Sequence, residues 1–246
     1  MEKTISVIIP CLNEESNLND AYRNTSSALS GKYQEYEILI FNDGSTDKTG
    51  EIADQIAKLD SHVNVIHNRR NMGFGYNFIE GIKIARMNYV CVIPGDNEIS
   101  GHSIDQIFSN VGLADIILPY TVNMELRTYS RRFASRLFTF VMNTIFCCDV
   151  QYYNGPAVHR LDLVQELGID VRGFAFQAVM LTKLIRKGHS VCEIPMYLQP
   201  KTQYRSTAIK IRSIVSVGLS ILKLAFEIYA SGRYPRKMKV NRIVLK

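Results

Sequence analysis

Short apolar runs alternate with amphipathic segments through the first half of the chain, and this alternation constrains the fold more than any other feature. The runs are ISVIIP, YEILIFND, VNVIHN, YVCVIP and ADIILPY, and the sequence predicts one further strand later in the chain, in SVCEIPMYLQ. The segments between them place apolar residues at roughly helical spacing, as Ile52, Ile56 and Leu59 do. Near-continuous apolar strands separated by helices are typical of a parallel sheet with helices on both faces. The sequence therefore predicts an α/β fold with a mostly parallel sheet.

The C-terminal part differs from this pattern in charge and in hydropathy. Residues 209–246 contain nine basic residues and one acidic residue, a net charge of +8, so that residues 1–208 carry −2. The segment 208–230 is about long enough to span a bilayer, but four charged residues interrupt it. We predict an amphipathic helix on an anionic membrane surface, with a core helix as the alternative. The predicted division is one domain over residues 1–208 and a membrane-associating helix with a basic tail over residues 209–246.

The cysteines and the first residues of the chain indicate a cytoplasmic protein. No charged segment followed by an apolar core opens the sequence, and the five cysteines show no Cys-x-x-Cys pairing. We therefore expect reduced thiols and a cytoplasmic location, peripheral on the cytoplasmic face of a membrane. A nucleic-acid partner fits least, because the basic tail is interleaved with aliphatic and not with aromatic side chains. His159 could point into a site, but a packed or surface histidine is the commoner outcome.

Polar residues follow three of the predicted strands, in PCLNEE, FNDGSTD and YVCVIPGDNEIS. The carboxyl ends of parallel strands meet at one edge of a sheet, and such sheets bind their ligands there. Asp43 precedes a Gly turn and a helix N-terminus, which favours a polar or anionic ligand, although Asp-Gly-Ser is also a common turn and cap. Asp96 and Glu98 follow a Pro-Gly break, and they are either polar groups of a turn or hard oxygen ligands for a metal ion.

Together these motifs resemble family 2 glycosyltransferases of the GT-A fold. SVIIPCLNEE, EILIFNDGSTDKT, NMGFGYNFIEGIKIA and YVCVIPGDNE occur in the order and spacing of that family. RRFASRLFTFVMN, FAFQ, KGHSVCEIPM and KTQYRST are similar to its dolichyl- and polyprenyl-phosphate sugar synthase branch. The resemblance covers roughly Ile5 to Leu224. It implies a Rossmann-like GT-A sheet and a metal-dependent, inverting hexosyltransferase.

The resemblance also implies a donor site at the strand ends. It assigns binding of the nucleotide diphosphate sugar to six residues: Pro10, Asn13, Glu14, Asp43, Gly73 and Gly75. In the metal motif, Pro94 stands where the family usually has an aspartate, and Glu98 stands where it usually has an amide. Asp96 and Glu98 would still be the catalytic carboxylates that hold Mg²⁺ or Mn²⁺ on the donor diphosphate.

The acceptor region lacks the carboxylate that a hydroxyl acceptor generally requires. No acidic residue lies between Gly173 and Leu184, where related enzymes that act on hydroxyls have a Glu-Asp pair. A phosphate acceptor is already ionised and needs cations in place of a base. The basic segments and the resemblance assign acceptor binding to six residues: Arg127, Arg132, Arg136, Gln177, Lys201 and Arg205. Arg132 and Arg136 are spaced to share one helix face.

The favoured prediction is sugar transfer to a membrane polyprenyl phosphate of the dolichyl or undecaprenyl type, for glycan or cell-envelope synthesis. Two alternatives stay open. The same fold could transfer sugar to a saccharide or lipid hydroxyl, or it could bind a nucleotide sugar without turnover, since the first metal aspartate is absent. The donor nucleotide is open between UDP, GDP and CDP. The predicted partners are the nucleotide sugar, the lipid phosphate, an anionic membrane surface and, as an option, a second copy of the chain.

Overall fold

A computed structural model describes residues 2–168, 173, 175–200, 211–232, 234 and 240–245, with the backbone alone for residues 211–214 and 244. Two predicted acceptor residues, Lys201 and Arg205, lie outside this part of the chain. The predicted boundary between residues 208 and 209 lies outside it as well, and stays a prediction.

One sheet of eight strands runs through the described part of the chain. Its strands are β1 (Ile5–Cys11), β2 (Tyr36–Asn42), β3 (Val63–His67), β4 (Tyr89–Val92), β5 (Ile116–Thr121), β6 (Val158–Arg160), β7 (Val191–Met196) and β8 (Arg242–Val244). Their order across the sheet is β3-β2-β1-β4-β6-β5-β7-β8. β6 is antiparallel to its neighbours β4 and β5, and every other neighbouring pair is parallel. The carboxyl ends of β1, β2, β4 and β5 therefore lie at one edge, as the sequence predicts.

Eight α-helices connect and cover these strands in the described residues. They are α1 (Leu18–Leu29), α2 (Thr49–Leu59), α3 (Phe74–Ile84), α4 (Gly101–Ser109), α5 (Tyr129–Phe146), α6 (Leu161–Glu166), α7 (Phe176–Arg186) and α8 (Ile211–Ala230). A short 3-10 helix, Met124–Leu126, lies between β5 and α5. Helix α1 buries Leu18, Ala21 and Thr25, which is the periodicity that predicts a helix there.

Two hydrophobic cores lie on opposite faces of the sheet. Successive residues of β1 point to opposite faces, so that Ile8 enters one core while Val7 and Ile9 enter the other. The core on the Ile8 side includes side chains of α3, α5, α6, α7 and α8, and the opposite core includes side chains of α1, α2 and α4. The predicted α/β sheet with helices on both faces is confirmed.

Two strands lie outside the strand pattern that the sequence predicts. β6 has three residues and follows the irregular segment NGPA, so no apolar run is long enough to stand out. β8 lies in the basic tail, where Arg242 forms ion pairs with the buried carboxylate of Glu193 and with Asp149. Burial raises the pKa of Glu193, and Arg242 supplies the opposite charge that a buried carboxylate needs. Part of the predicted tail is therefore a strand of the sheet.

Helix α8 is the predicted C-terminal helix, and its apolar residues point in two directions. Leu224 and Ile228 are buried against the core, whereas Leu222 and Phe226 are 68% and 76% exposed. Within the described ranges, no helix is long and apolar enough to cross a membrane. The helix therefore packs on the domain, as the alternative prediction has it, and it also presents an exposed apolar face.

Candidate active site

The turn after β4 continues along the end of β1. The N–H of Gly95 donates a hydrogen bond to the carbonyl oxygen of Pro10 at 3.0 Å. A Cβ atom on Gly95 would lie 2.8 Å from the Cβ of Cys11, so this close approach requires glycine. The turn thus places the following residue, Asp96, beside the carboxyl end of β1.

The end of β2 holds the loop that precedes α3. The carboxylate of Asp43 accepts hydrogen bonds from the N–H groups of Met72 and Gly73, at 2.8 and 2.9 Å. The side-chain amide of Asn68 donates to the same carboxylate at 2.8 Å. Gly73 has a φ of +96°, a value that favours glycine, and Gly75 is buried in the first turn of α3. The structure therefore brings three predicted donor residues together at this edge.

Two loops at the same edge are joined by hydrogen bonds between backbone and side chains. The side-chain oxygen of Asn13 accepts from the N–H of Thr46 at 2.8 Å, and the N–H of Asn13 donates to the Ser45 hydroxyl at 3.0 Å. The N–H of Glu14 donates to the hydroxyl of Thr49 at 2.8 Å. Asn13 has a φ of +55°, which asparagine tolerates better than most residues do. The predicted donor residues of the first loop therefore lie against the loop after β2.

Carboxylates concentrate negative charge at this edge. Burial first, and then three neighbouring carboxylates, raise the pKa of the Cys11 thiol to about 12. Those carboxylates belong to Glu14, Asp43 and Asp47. Cys11 is therefore a neutral thiol with no nucleophilic role at neutral pH. The same negative field favours a cation at the edge.

Asp96 and Glu98, with Asn97 between them, form what we call the carboxylate corner. A side-chain oxygen of Asp96 accepts from the N–H of Glu98 at 3.0 Å, and Asn97 has a φ of +52°. The Glu98 carboxylate forms an ion pair with Arg127, with 3.1 Å between Oε1 and Nη2. The two side chains of this pair are 12% and 10% exposed. A predicted metal ligand is thus paired with a predicted acceptor-binding arginine.

The carboxylate corner fits a divalent ion in part. Among the residues that the structure describes, no group of three or more His, Cys, Asp or Glu side chains could hold a metal ion. Asp96 is half-buried and offers the hard oxygen that Mg²⁺ or Mn²⁺ prefers. Glu98 offers the same chemistry, but Arg127 already balances its charge. The assignment of both carboxylates as metal ligands stays a prediction.

A cavity of about 470 Å³ lies between the end of β5 and helix α5. Arg132 and Arg136 line it together with Ser135 and Thr139, so the two arginines share one helix face as their spacing predicts. One acidic side chain, that of Glu125, is among the described residues of the lining. The cavity is therefore suited to an anion that binds through arginine and hydroxyl donors.

Arg127 connects the carboxylate corner to this cavity. Its Nη1 donates to the phenolic oxygen of Tyr152 at 3.1 Å, and Tyr152 lines the cavity. Burial alone would lower the pKa of Arg127, and its partners Tyr152 and Glu98 raise that pKa above its ordinary value. Arg127 is therefore charged, and it is in contact with a residue of each candidate site.

Gln177 lies in the first turn of α7 and is buried. Its side-chain amide donates to the carbonyl oxygen of Gly155 at 3.0 Å. A Cβ atom on Gly155 would collide with the carbonyl oxygen of Pro119, so this loop packs directly on β5. Gln177 thus holds the loop that follows Tyr152, and its acceptor role stays a prediction.

The sequence prediction does not include Tyr152, Ser135 and Thr139, which line the cavity. Tyr152 lies in the irregular segment QYYNGPAVH, where no periodicity marks it. Ser135 and Thr139 could be found, because each lies three residues after one of the two cavity arginines on the same helix face. His159 is 1% exposed in β6, and burial lowers its pKa to about 3, so it is a packed neutral side chain.

The N-terminal half of the chain matches a known family. Residues 6–140 match the model of Glycosyl transferase family 2. The chain belongs to this family. The matched region includes the donor edge, the carboxylate corner and the three arginines that lie at and beside the cavity.

The chain matches curated relatives over very different shares of their length. It is 24% identical to the undecaprenyl-phosphate 4-deoxy-4-formamido-L-arabinose transferase of Pseudomonas fluorescens over 241 residues, which cover 90% of this chain and 71% of that protein. It is 30% identical to glycosyltransferase GlyG of Streptococcus pneumoniae over 111 residues, 45% of this chain and 36% of GlyG. A match at 35% identity covers 39% of this chain and 27% of glycosyltransferase EpsJ of Bacillus subtilis. The matched segments thus span well under half of GlyG and EpsJ.

Solved structures have the same fold. Glucosyl-3-phosphoglycerate synthase of Mycobacterium tuberculosis, crystallised with Mn²⁺, UDP and glucosyl-3-phosphoglycerate, gives a TM-score of 0.66 at 15% identity over 91% of this chain and 80% of that one. TarS 1-349 of Staphylococcus aureus gives a TM-score of 0.55 at 14% identity over 97% of this chain and 76% of that one. At such identities the similarity concerns the fold alone, and it confirms the predicted GT-A fold.

Proposed function

We propose that the protein is an inverting glycosyltransferase that moves a sugar from a nucleotide diphosphate sugar to a polyprenyl phosphate at the cytoplasmic face of a membrane. The observation that most supports this is the cavity with Arg132 and Arg136, which adjoins the carboxylate corner through Arg127. A transferase must hold donor and acceptor side by side, and Arg127 is in contact with both candidate sites. The Pseudomonas fluorescens relative is named for transfer to undecaprenyl phosphate, which supports this acceptor class.

The donor would lie over the edge formed by β1, β2 and the start of α3. Its nucleoside would contact the end of β1 at Pro10 and the loop that begins at Asp43. Its diphosphate would face the N-terminus of α3, where Gly73 leaves the backbone open. The glucosyl-3-phosphoglycerate synthase structure contains UDP, so UDP-sugars are the first donors to test.

The acceptor phosphate would be the nucleophile and would need no base. One of its ionised oxygens attacks the anomeric carbon while the bond from that carbon to the donor diphosphate breaks, and the nucleoside diphosphate leaves. Arg132 and Arg136 would bind the acceptor phosphate through charge-assisted hydrogen bonds. Helix α7 has no carboxylate between Phe176 and Arg186, which agrees with a reaction that requires no general base there.

The proposed reaction includes a divalent ion. The carboxylate of Asp96 and the donor diphosphate would both bind this ion. When bound, the ion would supply positive charge that stabilises the departing nucleoside diphosphate. The glucosyl-3-phosphoglycerate synthase has been crystallised with UDP and either Mn²⁺ or Mg²⁺, which supports the prediction of one of these ions.

Exposed apolar side chains on two helices support a membrane-bound acceptor. We call this the α5–α8 surface, and its residues are Tyr129, Phe133, Leu137 and Phe140 of α5 and Val215, Leu219, Leu222, Phe226 and Tyr229 of α8. The helices touch where the hydroxyl of Tyr229 donates to the carbonyl oxygen of Ile145. Phe140 is 66% exposed and also lines the cavity, so an acceptor's lipid chain would leave the cavity onto this surface. Lys223 on α8 is an exposed cation that suits anionic headgroups.

Transfer can be tested with the full chain, vesicles that contain undecaprenyl phosphate, and radiolabelled nucleotide sugars with Mn²⁺. A thermal-shift panel first selects the donor, because a bound ligand stabilises the native state. We expect a lipid-linked product that mild acid releases. Arg132→Met or Arg136→Met should lower kcat/KM by about tenfold or more. Arg131→Met is the matched control, since Arg131 lies outside the cavity lining, and it should stay within about twofold. Transfer to undecaprenol and not to undecaprenyl phosphate would contradict the proposal.

A hydroxyl acceptor is the second candidate, and one observation favours it. Glu125 lines the cavity and could act as the general base that a hydroxyl needs. The glucosyl-3-phosphoglycerate synthase has been crystallised with UDP-glucose and phosphoglyceric acid, so a fold of this kind also accepts a small phosphorylated molecule. In that case the product would survive mild acid, and Glu125→Gln would lower kcat by about 100-fold or more.

A further inference from the structure

The main chain of Glu98 is held by two hydrogen bonds. The carbonyl oxygen of Glu98 accepts from the N–H of Gln199 at 2.8 Å, and its N–H is held by the Asp96 carboxylate. Both the N–H and the carbonyl oxygen of Glu98 are therefore hydrogen-bonded. Its carboxylate lies against Arg127, 3.1 Å from Nη2, in an environment where both side chains are about nine-tenths buried.

Arg127 is fixed from the other side of the same contact. It follows the 3-10 helix Met124–Leu126, its N–H donates to the carbonyl oxygen of Met124 at 3.0 Å, and its Nη1 donates to Tyr152 at 3.1 Å. Its Nε is buried and has no hydrogen-bond partner among the described residues, whereas its Nη2 is paired with Oε1 of Glu98. A buried N–H without an acceptor is unfavourable. All donors of Arg127 are therefore satisfied only when a hydrogen-bond acceptor reaches its Nε–H.

A phosphate oxygen suits that Nε–H, since guanidinium groups bind phosphate through several parallel donors. In the proposed reaction two phosphate groups approach this junction, one from the donor diphosphate and one from the acceptor. Before a substrate phosphate binds, movement of the Glu98 carboxylate onto a metal ion would leave Arg127 as a buried charge without its counter-charge, which is strongly unfavourable. The contacts therefore favour a Glu98 that stays with the arginine.

We propose that Glu98 is a positioning residue, which holds the Arg127 guanidinium at the junction of the carboxylate corner and the cavity, and that the divalent ion binds without the Glu98 side chain. The inference rests on the proposed function, because it assumes a substrate phosphate at that junction. Arg127 donates its Nε–H to an oxygen of that phosphate, and Asp96 is the side chain that ligates the ion.

The affinity for Mn²⁺ distinguishes a carboxylate that ligates the ion from one that only positions Arg127. Free Mn²⁺ can be followed by electron paramagnetic resonance while the full chain, saturated with UDP, is titrated. We expect Asp96→Asn to weaken Mn²⁺ binding by about tenfold or more. Glu98→Gln should leave it within about twofold of the unsubstituted protein. Equal weakening by the two substitutions would overturn the proposal.

A double-substitution cycle tests whether Glu98 acts through Arg127. With Mn²⁺ present, we expect kcat/KM for transfer to fall by about tenfold in Glu98→Gln and by about 100-fold in Arg127→Met. The double variant should be no worse than Arg127→Met alone, because the role of Glu98 is lost once its arginine is gone. Arg127→Lys should recover part of the loss. Losses that multiply in the double variant would show that the two residues act independently, against the proposal.

Two binding measurements identify the phosphate that Arg127 contacts. One is the affinity for UDP in EDTA, and the other is the affinity of the UDP-saturated protein for a short-chain polyprenyl phosphate. Arg127→Met should weaken one of them by about tenfold, and Glu98→Gln should weaken the same one to a smaller extent. Unchanged affinity for both ligands in Arg127→Met would overturn the role of the arginine.

Failure of this inference can be told apart from failure of the proposed function. If the unsubstituted protein transfers no sugar to any polyprenyl phosphate, the proposed function fails, and the ion pair is still tested by urea unfolding of the same variants. If Glu98 holds Arg127, the effects of Glu98→Gln and Arg127→Met on the folding equilibrium constant should not be independent. The double variant should differ by about fivefold from the product of the two single effects. The Glu80–Lys83 pair is the matched control, since it has the same charges at 2.8 Å on an exposed helix face, and it should couple by less than about twofold. Coupling at the level of this control would overturn the inference.

Discussion

The carboxylate of Asp43 accepts the backbone N–H of Gly73 at 2.9 Å, and this bond ties the end of β2 to the start of α3. The same carboxylate accepts the N–H of Met72 at 2.8 Å, and Asp43 is 4% exposed. The position of the helix N-terminus, where a donor diphosphate would lie, thus depends on one side chain that follows a buried strand. The carboxylate acts as an acceptor at both of its oxygens.

Asp43→Asn should therefore affect both stability and nucleotide binding. The amide puts a donor in place of one acceptor oxygen, opposite an N–H group, so we expect a loss of about 1–3 kcal/mol in the free energy of unfolding. The displaced loop should lower the affinity for the donor nucleotide by about tenfold. Urea unfolding and calorimetric titration with UDP measure the two effects. Asp20→Asn, on the exposed side of α1, should change stability by less than about 0.5 kcal/mol. An unchanged nucleotide affinity in folded Asp43→Asn would contradict the prediction.

Gly95→Ala should disturb the carboxylate corner through packing alone. The added Cβ would lie 2.8 Å from the Cβ of Cys11, so the turn that carries Asp96 has to move away from β1. We expect a loss of about 1–3 kcal/mol in the free energy of unfolding and lower turnover at saturating donor. Gly218→Ala is the matched control. Gly218 lies in the middle of helix α8, and an added Cβ there would have no atom within 4 Å. The free energy of unfolding of this control should rise by up to about 1 kcal/mol. A Gly95→Ala protein with unchanged stability and turnover would contradict the packing argument.

The edge of the sheet is the part of the fold that the sequence predicts best. Pro10, Asp43 and Asp96 each lie at or just beyond the end of an apolar run, and the common direction of parallel strands then places them at one edge. β8 could not be predicted in this way, because it has three residues and its ion pair, between Glu193 and Arg242, joins residues far apart in the chain.

The connection between the two candidate sites is also invisible in the sequence. The patterns assign Glu98 to a metal and Arg127 to an acceptor, because each is judged by its own neighbours in the chain. Their contact arises only when the 3-10 helix after β5 lies beside the turn after β4. Helix spacing, by contrast, is local, and it correctly places Arg132 and Arg136 on one face.

The α5–α8 surface should bind anionic membranes. Phe133 and Phe226 are 59% and 76% exposed on its two helices, so the double substitution Phe133→Ser with Phe226→Ser removes apolar area without a large change in stability. Sedimentation with phosphatidylglycerol vesicles should show binding that weakens by about tenfold in this variant. Binding should also weaken with added salt, because cations near the surface contribute to it.

The control for this experiment is an exposed apolar residue on the opposite side of the sheet. Leu59 is 90% exposed at the end of α2, whose buried side chains pack in the other core, so Leu59→Ser should bind vesicles as the unsubstituted protein does. If the paired phenylalanine substitutions left vesicle binding unchanged and instead altered the oligomeric state, the surface would be a contact between copies of the chain.

The pH dependence of stability should contain a component from His159. Burial between strands lowers its folded-state pKa from 6.5 to about 3, so the unfolded chain binds the proton first as the pH falls. The contribution of the neutral ring is complete above pH 6.5 and is lost as the pH falls toward about 3. Within that window a single histidine of this kind changes the free energy of unfolding by about 1.4 kcal/mol per pH unit.

His159→Leu should remove this slope, because leucine keeps an apolar side chain in β6 and binds no proton. The measurement is urea unfolding at several pH values between 6.5 and about 4.5, where the histidine component is separable from that of most carboxylates. His102→Gln, at an exposed position in the first turn of α4, should retain the slope of the unsubstituted protein. A His159→Leu protein with an unchanged slope would mean that the ring of His159 is accessible to protons in the folded state, in conflict with its 1% exposure.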